Sequence, residues 1–219
     1  MSFLGVLMLQ TQFPRPVGDI GHPGSFDLPV RHRVVPEASP ARVVRERAAG
    51  LLPAFIGAAR ALIDEGAAAI TTSCGFMAIA QRELQAALPV PVWSSSLMLL
   101  PELDGRTPGV ITIDAAALGA EHFHAVGADP RTPCEGIAPN SALARTLLGD
   151  ALTLTVADAQ EQVLAAGRRL LARHPQIDTL VLECTNLPPY AAALRQASGL
   201  PVHDVLTMLH ARWAALRSA

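Results

Sequence analysis

The strongest constraint on the fold of this chain is an imperfect internal copy. The stretch AAAITTSCGFMAIAQRELQAALPVPVWSSSLML, residues 67–99, is matched 110 positions later by IDTLVLECTNLPPYAAALRQASGLPVHDVLTML, residues 177–209. On that shift Cys74 falls on Cys184, Leu84 on Leu194, Pro91-Val92 on Pro201-Val202 and Met98-Leu99 on Met208-Leu209. A unit written twice is expected to fold twice. Its two cysteines then occupy equivalent places, each at the end of a short apolar run.

The pattern around the copies alternates strand and helix. Apolar runs at Leu4–Leu9, Ala69–Ser73, Val92–Ser94, Gly109–Ile113, Leu180–Glu183 and Val202–Asp204 read as strands, with a weaker one at Arg33–Val35. Helical spacing marks Ala41–Glu65, where Pro53 kinks or restarts the helix, and then Met77–Leu88 and Ala116–Val126. Further helices are expected from Asn140, over Ala157–Arg173 and Tyr190–Ala197, and from 205 to the end. Alternation of this kind builds βαβ units with parallel sheets. The expected fold is therefore α/β: two pseudo-symmetric, Rossmann-like lobes with an active site in the cleft between them. The first lobe covers 1–97, with the terminal helix 205–219 packed back on it, and the second covers 98–204. Both cysteines then stand at the carboxyl ends of strands, where open parallel sheets bind ligands. Thr11–Pro40, rich in Pro and Gly, is too long for a passive connector and is expected to cover the site.

Composition removes several classes. A net charge of −2 gives no electrostatic footprint for nucleic acid or an anionic membrane. No apolar run reaches the length of a membrane span, since Arg60, Asp64 and Glu65 interrupt the longest. No basic region precedes the first apolar segment, so no signal peptide is expected. Three cysteines in a chain of 219 residues do not form a disulfide framework, and a cytoplasmic location is the expectation. The chain contains no lysine: all 17 basic residues are arginine. A pyridoxal-phosphate Schiff base and a P-loop both require that amine, so both are excluded. His122, His124, His203 and His210 show no ligand spacing to either cysteine, and no metal is expected. Self-association into a homo-oligomer is left open.

A thiol of pKa ~8.5 needs roughly 2 kcal/mol of extra preference for the anion to reach about 7, and a helix start supplies about 0.3–1. Ser73, Thr185, Asn186, free N–H groups or a cationic substrate group are the candidates for the difference. Glu183, if close and ionised, raises Cys184 and leaves Cys74 as the resting thiolate. Cys134 has no counterpart in the copy and reads as a small buried hydrophobe.

The motifs TTSCGF and ECTNLPPY, with GVLMLQTQFPRPVGDIG and GVITIDAAALGAEHFHAVGA, resemble the aspartate/glutamate/hydantoin racemase superfamily over nearly the whole chain. The resemblance implies a two-lobed, cofactor-independent isomerase. In such an enzyme Cys74 and Cys184 are the catalytic pair, one taking a proton from Cα of a small carboxylate-bearing substrate and the other returning one to the opposite face. The superfamily often reads Gly-Cys-Thr-His at the second motif, where this chain has Glu183-Cys184-Thr185-Asn186. Glutamate racemases carry Asp-Ser at Gln10-Thr11 and Asn-Thr at Gly75-Phe76, so the residues gripping the substrate differ here. Gln10, Thr11, Ser73, Gly75, Phe76, Thr185 and Asn186 are the candidates for substrate contact. Racemisation or epimerisation of an amino acid or hydantoin is the leading expectation. The alternatives are a decarboxylase or cis–trans isomerase of the same superfamily, or a non-catalytic binder on this scaffold.

Overall fold

The computed structural model describes residues 2–218; Met1 and Ala219, the outer ends of the expected lobe ranges, lie outside the described residues. Two four-stranded parallel sheets carry the fold. The first contains β1 (Phe3–Met8), β2 (Val30–Val34), β3 (Ala67–Thr72) and β4 (Val92–Trp93), in the order β2-β1-β3-β4. The second contains β5 (Pro108–Thr112), β6 (Cys134–Gly136), β7 (Thr179–Leu182) and β8 (Val202–His203), in the order β6-β5-β7-β8. The topology is thus used twice, and so is the register. Ile70 pairs with Val92 and Thr71 with Trp93; Leu180 pairs with Val202 and Val181 with His203, the same positions displaced by 110.

Helices cover these sheets because their apolar stripes match them. They are α1 (Leu52–Asp64), α2 (Gln81–Ala87), α3 (Ala120–Ala125), α4 (Ala142–Gly149), α5 (Val156–Arg173), α6 (Ala191–Ser198) and α7 (Val205–Ser218). In α5, Ala159, Val163, Ala166 and Leu170 recur at three- and four-residue spacing, and all four are buried. One continuous apolar core runs through both halves, from Leu7 and Phe55 to Leu180 and Leu194. The other face of the first sheet is closed separately: Val205, Met208, Leu209 and Trp213 of α7 pack on Leu4, Val6 and Met8.

Two expectations are corrected locally. The long helix expected over Ala41–Glu65 is broken. A π-helical turn spans Ala41–Arg45, Arg47, Ala48 and Gly50 take positive φ, and α1 starts at Leu52 with Pro53 in its first turn. Proline lacks an N–H and clashes with the preceding turn, so it opens a helix readily and does not continue one. No strand is expected between Ile113 and Leu180, yet Cys134 lies in the edge strand β6. Among the described residues no helix is long and apolar enough to cross a membrane.

Candidate active site

Each cysteine stands where its strand turns into a helical segment. Past β3 the chain runs through Ser73 and an extended Cys74 (φ −148°, ψ 118°) into a 3₁₀ helix beginning at Gly75. Past β7 it runs through Glu183 and Cys184 towards a second 3₁₀ turn at Pro188–Tyr190. The same bond closes both turns: Met77 N–H donates to the Cys74 carbonyl and Leu187 N–H to the Cys184 carbonyl, each at 3.0 Å.

The turns cross at buried residues, Ser73 and Thr185. Thr185 Oγ1 donates to the Ser73 carbonyl at 2.6 Å, and Ser96 Oγ to the Leu182 carbonyl at 2.7 Å. At the position equivalent to Thr185 stands Gly75, where a Cβ would overlap both the carbonyl oxygen and Oε1 of Glu183. The crossing admits a side chain on one turn only.

Both thiols line one narrow cavity of about 20 Å³. Thr11, Gly75, Phe76, Thr185 and Asn186 line it as well, so five of the seven residues proposed for substrate contact come together there. Gln10 and Ser73 do not line it. Gln10 Oε1 accepts from Glu37 N–H at 3.1 Å, and Ser73 Oγ accepts from Leu9 N–H at 2.8 Å. Cys134 does not line the cavity.

Sequence reasoning missed Arg15 and Asp19. The segment Thr11–Pro40 does lie over the thiols, contributing Thr11, Phe13, Arg15 and Pro40 to the cavity wall. Arg15 is the one charged side chain among the lining residues. It donates to the buried carboxylate of Asp19 at 2.7 Å and to Thr11 Oγ1 at 2.8 Å, with its guanidinium 4.3 Å from the centre of the Phe13 ring. The other oxygen of Asp19 accepts from Asn186 Nδ2 at 2.7 Å, and Asn186 Oδ1 accepts from Cys184 Sγ at 3.6 Å. A polar chain therefore links the loop after β1 to the second thiol. The only signal in the sequence is the Arg15–Asp19 spacing of four residues, and nothing in it says that the loop folds inward. Gln12 N–H and Phe13 N–H, at 2.7 and 3.1 Å, hold the loop to Asp150 Oδ1 beyond α4. At Gly18 (φ +99°) a Cβ would come within 2.9 Å of the Pro189 backbone, so the loop can lie this close only with glycine there.

The cavity does not favour a thiolate unaided. Burial, and then the Glu183 carboxylate, push Cys74 up to about 12, against the Phe76 N–H and the Arg15 charge. Cys184 is raised well above its ordinary value by burial first, then by Glu183, with the Asn186 N–H opposing. The sequence expectation that Glu183 acts on Cys184 alone is thus corrected: its charge reaches both thiols. The helix-start N–H donors that face the thiols come from Phe76 and Asn186. Among the described residues no group of three or more His, Cys, Asp or Glu side chains is placed to hold a metal.

No protein-family model matches the chain. It is 31% identical over 216 residues to a dimethylsulfoniopropionate lyase from Durusdinium sp. clade D, covering 93% of this chain and 71% of that protein. It is 30% identical to dimethylsulfoniopropionate lyase 7 of Emiliania huxleyi, covering 97% and 67%. The chain belongs to the dimethylsulfoniopropionate lyase family. In fold it is similar to solved aspartate and glutamate racemases and to arylmalonate decarboxylase. Unliganded arylmalonate decarboxylase superposes with a TM-score of 0.63 at 16% identity, over 99% of this chain and 92% of that one. Glutamate racemase RacE1 from Bacillus anthracis does so with 0.59 at 14%, over 99% and 82%. The racemase expectation, and with it the isomerase class, is overturned by the lyase relatives, which match most of the chain at twice the identity of the racemases. The misreading has a physical origin. Paired thiols at strand ends do not single out one reaction, since taking a proton from a carbon beside a carboxylate can begin an inversion or an elimination.

Proposed function

We propose that this protein is a lyase that cleaves dimethylsulfoniopropionate, or a close sulfonium carboxylate, into dimethyl sulfide and acrylate. The observation that carries the reading is its 31% identity to a dimethylsulfoniopropionate lyase over nearly its whole length. The cavity supports it chemically. The substrate is a zwitterion, with a carboxylate at one end and a dimethylsulfonium cation at the other. Arg15, held by Asp19 and Thr11, offers its remaining N–H donors to the carboxylate. Phe76, Ile113, Leu147 and Leu148 supply an apolar wall for the two methyl groups.

Cys74 is the base in this reading, because Arg15 lowers its pKa whereas Cys184 meets Asp19 as well as Glu183. The sulfonium adds a positive charge beside the thiol, which favours the thiolate where the protein alone does not. Cys74 takes the proton from the carbon next to the carboxylate. The C–H electrons form the double bond, the carbon–sulfur bond breaks, and its electron pair leaves on neutral dimethyl sulfide. Negative charge developing on the carboxylate faces Arg15. The leaving group needs no proton, so a single base suffices. Cys184 stays a thiol, bonded to Asn186.

The cavity holds about 20 Å³, room for little more than a water molecule, so its wall, to which the loop carrying Arg15 contributes, has to widen to admit substrate. Free thiols suit a reducing compartment, which supports a cytoplasmic setting. The test is release of dimethyl sulfide, read by gas chromatography, with stoichiometric acrylate. Cys74→Ala should lower kcat at least about a hundredfold, the scale of a lost general base. Absence of dimethyl sulfide from folded protein supplied with the substrate would overturn the reading.

A further inference from the structure

Glu183 is a buried ionisable group that the proposed reaction leaves unused. It has no exposed surface. Its Oε2 accepts from Thr112 Oγ1 of β5 at 2.6 Å, whereas its Oε1 has no hydrogen-bond partner. That free oxygen is packed against Gly75, the residue after Cys74, in the space a side chain would fill. The groups that feel its charge are thiols: Cys74 after β3, Cys184 beside it and Cys134 from β6. Arg15 and Asp19 face the thiols from the loop after β1. No cation pairs with Glu183 among the described residues. A core carboxyl with an unpartnered oxygen costs stability, and a leucine or glutamine there would avoid the buried charge.

We propose that Glu183 is a positioning residue that carries the negative charge of the site between turnovers and takes up the Cys74 proton when a cationic substrate draws that charge onto the thiol. The proton balance closes. In the resting enzyme Cys74 is a thiol and Glu183 a carboxylate. As substrate binds, the S–H bond of Cys74 breaks and an O–H bond forms on Glu183. Elimination then returns a proton to Cys74, this one from the substrate carbon. Glu183 finally releases its own proton to solvent, the one proton that the elimination produces. Burial lifts Glu183 to about 7, so it exchanges protons readily near neutrality. Burial first and the Glu183 charge second hold Cys74 at about 12, so a charged carboxylate here disfavours the thiolate.

The catalytic consequence rests on Cys74 being the base, but the test needs no substrate. Alkylation of Cys74 by iodoacetamide, read by peptide mass spectrometry, follows the thiolate fraction. If Glu183 and Cys74 share one charge, that fraction is fixed once the first proton has left. Wild-type alkylation should then change less than about threefold between roughly pH 7.5 and 9.5. In Glu183→Gln the rate should climb about tenfold per pH unit over the same range, as for an independent thiol. Thr112→Val removes the donor that favours the carboxylate, so it should move the start of the flat region to higher pH and provides a second arm if the glutamine variant fails to fold. A wild-type rate that climbs tenfold per unit, or coincident profiles for wild type and variant, would overturn the proposal. A steep wild-type profile in a protein that still releases dimethyl sulfide discards the role of Glu183 alone. A flat profile without dimethyl sulfide discards the lyase reading alone.

Discussion

Among the described residues Arg15 brings the only formal charge to the cavity wall, and its position is fixed by Asp19, which is itself almost wholly buried. A guanidinium held in this way is pre-organised for a carboxylate. Arg15→Gln should therefore raise KM at least about tenfold, the value of one charge-assisted hydrogen bond, with a smaller change in kcat. Steady-state kinetics of dimethyl sulfide release measure both. Gly75 makes a different demand, for space between the crossing turns and not for a positive φ. Gly75→Ala drives a methyl group into Glu183, so thermal unfolding should report a loss of about 1–3 kcal/mol, the usual cost of overpacking. Cys134 lies outside the cavity, in β6. Cys134→Ala should leave turnover within a few-fold. At this scale the two thiols were legible because the chain states them twice. Arg15 and Asp19 were not, because a polar residue in an aperiodic loop carries no sign of which way the loop folds.

Among the elements, the duplicated strand–turn–helix units were the most readable, since apolar runs end at both cysteines and the register repeats through β3–β4 and β7–β8. The three residues of β6 are too few for an alternation to register, and it hides behind Pro133. The loop after β1 was read as a cover from its length and composition, but its fastening was invisible. That fastening is Asp150, the left-handed residue (φ 55°) ending α4, which accepts from Gln12 N–H and Phe13 N–H. Asp150→Asn keeps a residue that tolerates this backbone and removes the charge that strengthens both bonds. The loop should open more often, and alkylation of the buried Cys184 should quicken several-fold while the circular dichroism spectrum is unchanged. An unaltered rate would mean that the loop is held elsewhere.

The whole molecule is two copies of one topology joined at a crossing, and its stability should carry the signature of the carboxyl buried there. Glu183 titrates at about 7 in the fold against an ordinary 4.5. Below about pH 4.5 it is neutral, folded or unfolded. Between 4.5 and 7 the unfolded chain gives up the proton that the folded chain retains, so stability falls as pH rises. Above 7 the penalty is constant, on the order of 3 kcal/mol at 1.36 kcal/mol per pH unit. Glu183→Gln should therefore gain on the wild type across that window and hold the gain above it, as urea unfolding at stepped pH would measure. A second global feature is α7, whose Val205, Met208, Leu209 and Trp213 close the outer face of the first sheet against Leu4, Val6 and Met8. β1, which ends at Met8, is covered by a helix that begins only at Val205. At roughly 5–20 residues per second, a ribosome completes that helix on the order of ten seconds or more after β1 has emerged. Throughout that interval this face of the sheet is covered only by neighbours such as Ile20 and Trp93, without the side chains of α7. The first sheet is thus completed only after the last strand of the second has been made, so a chain cut before Val205 should expose apolar surface at Leu4, Val6 and Met8.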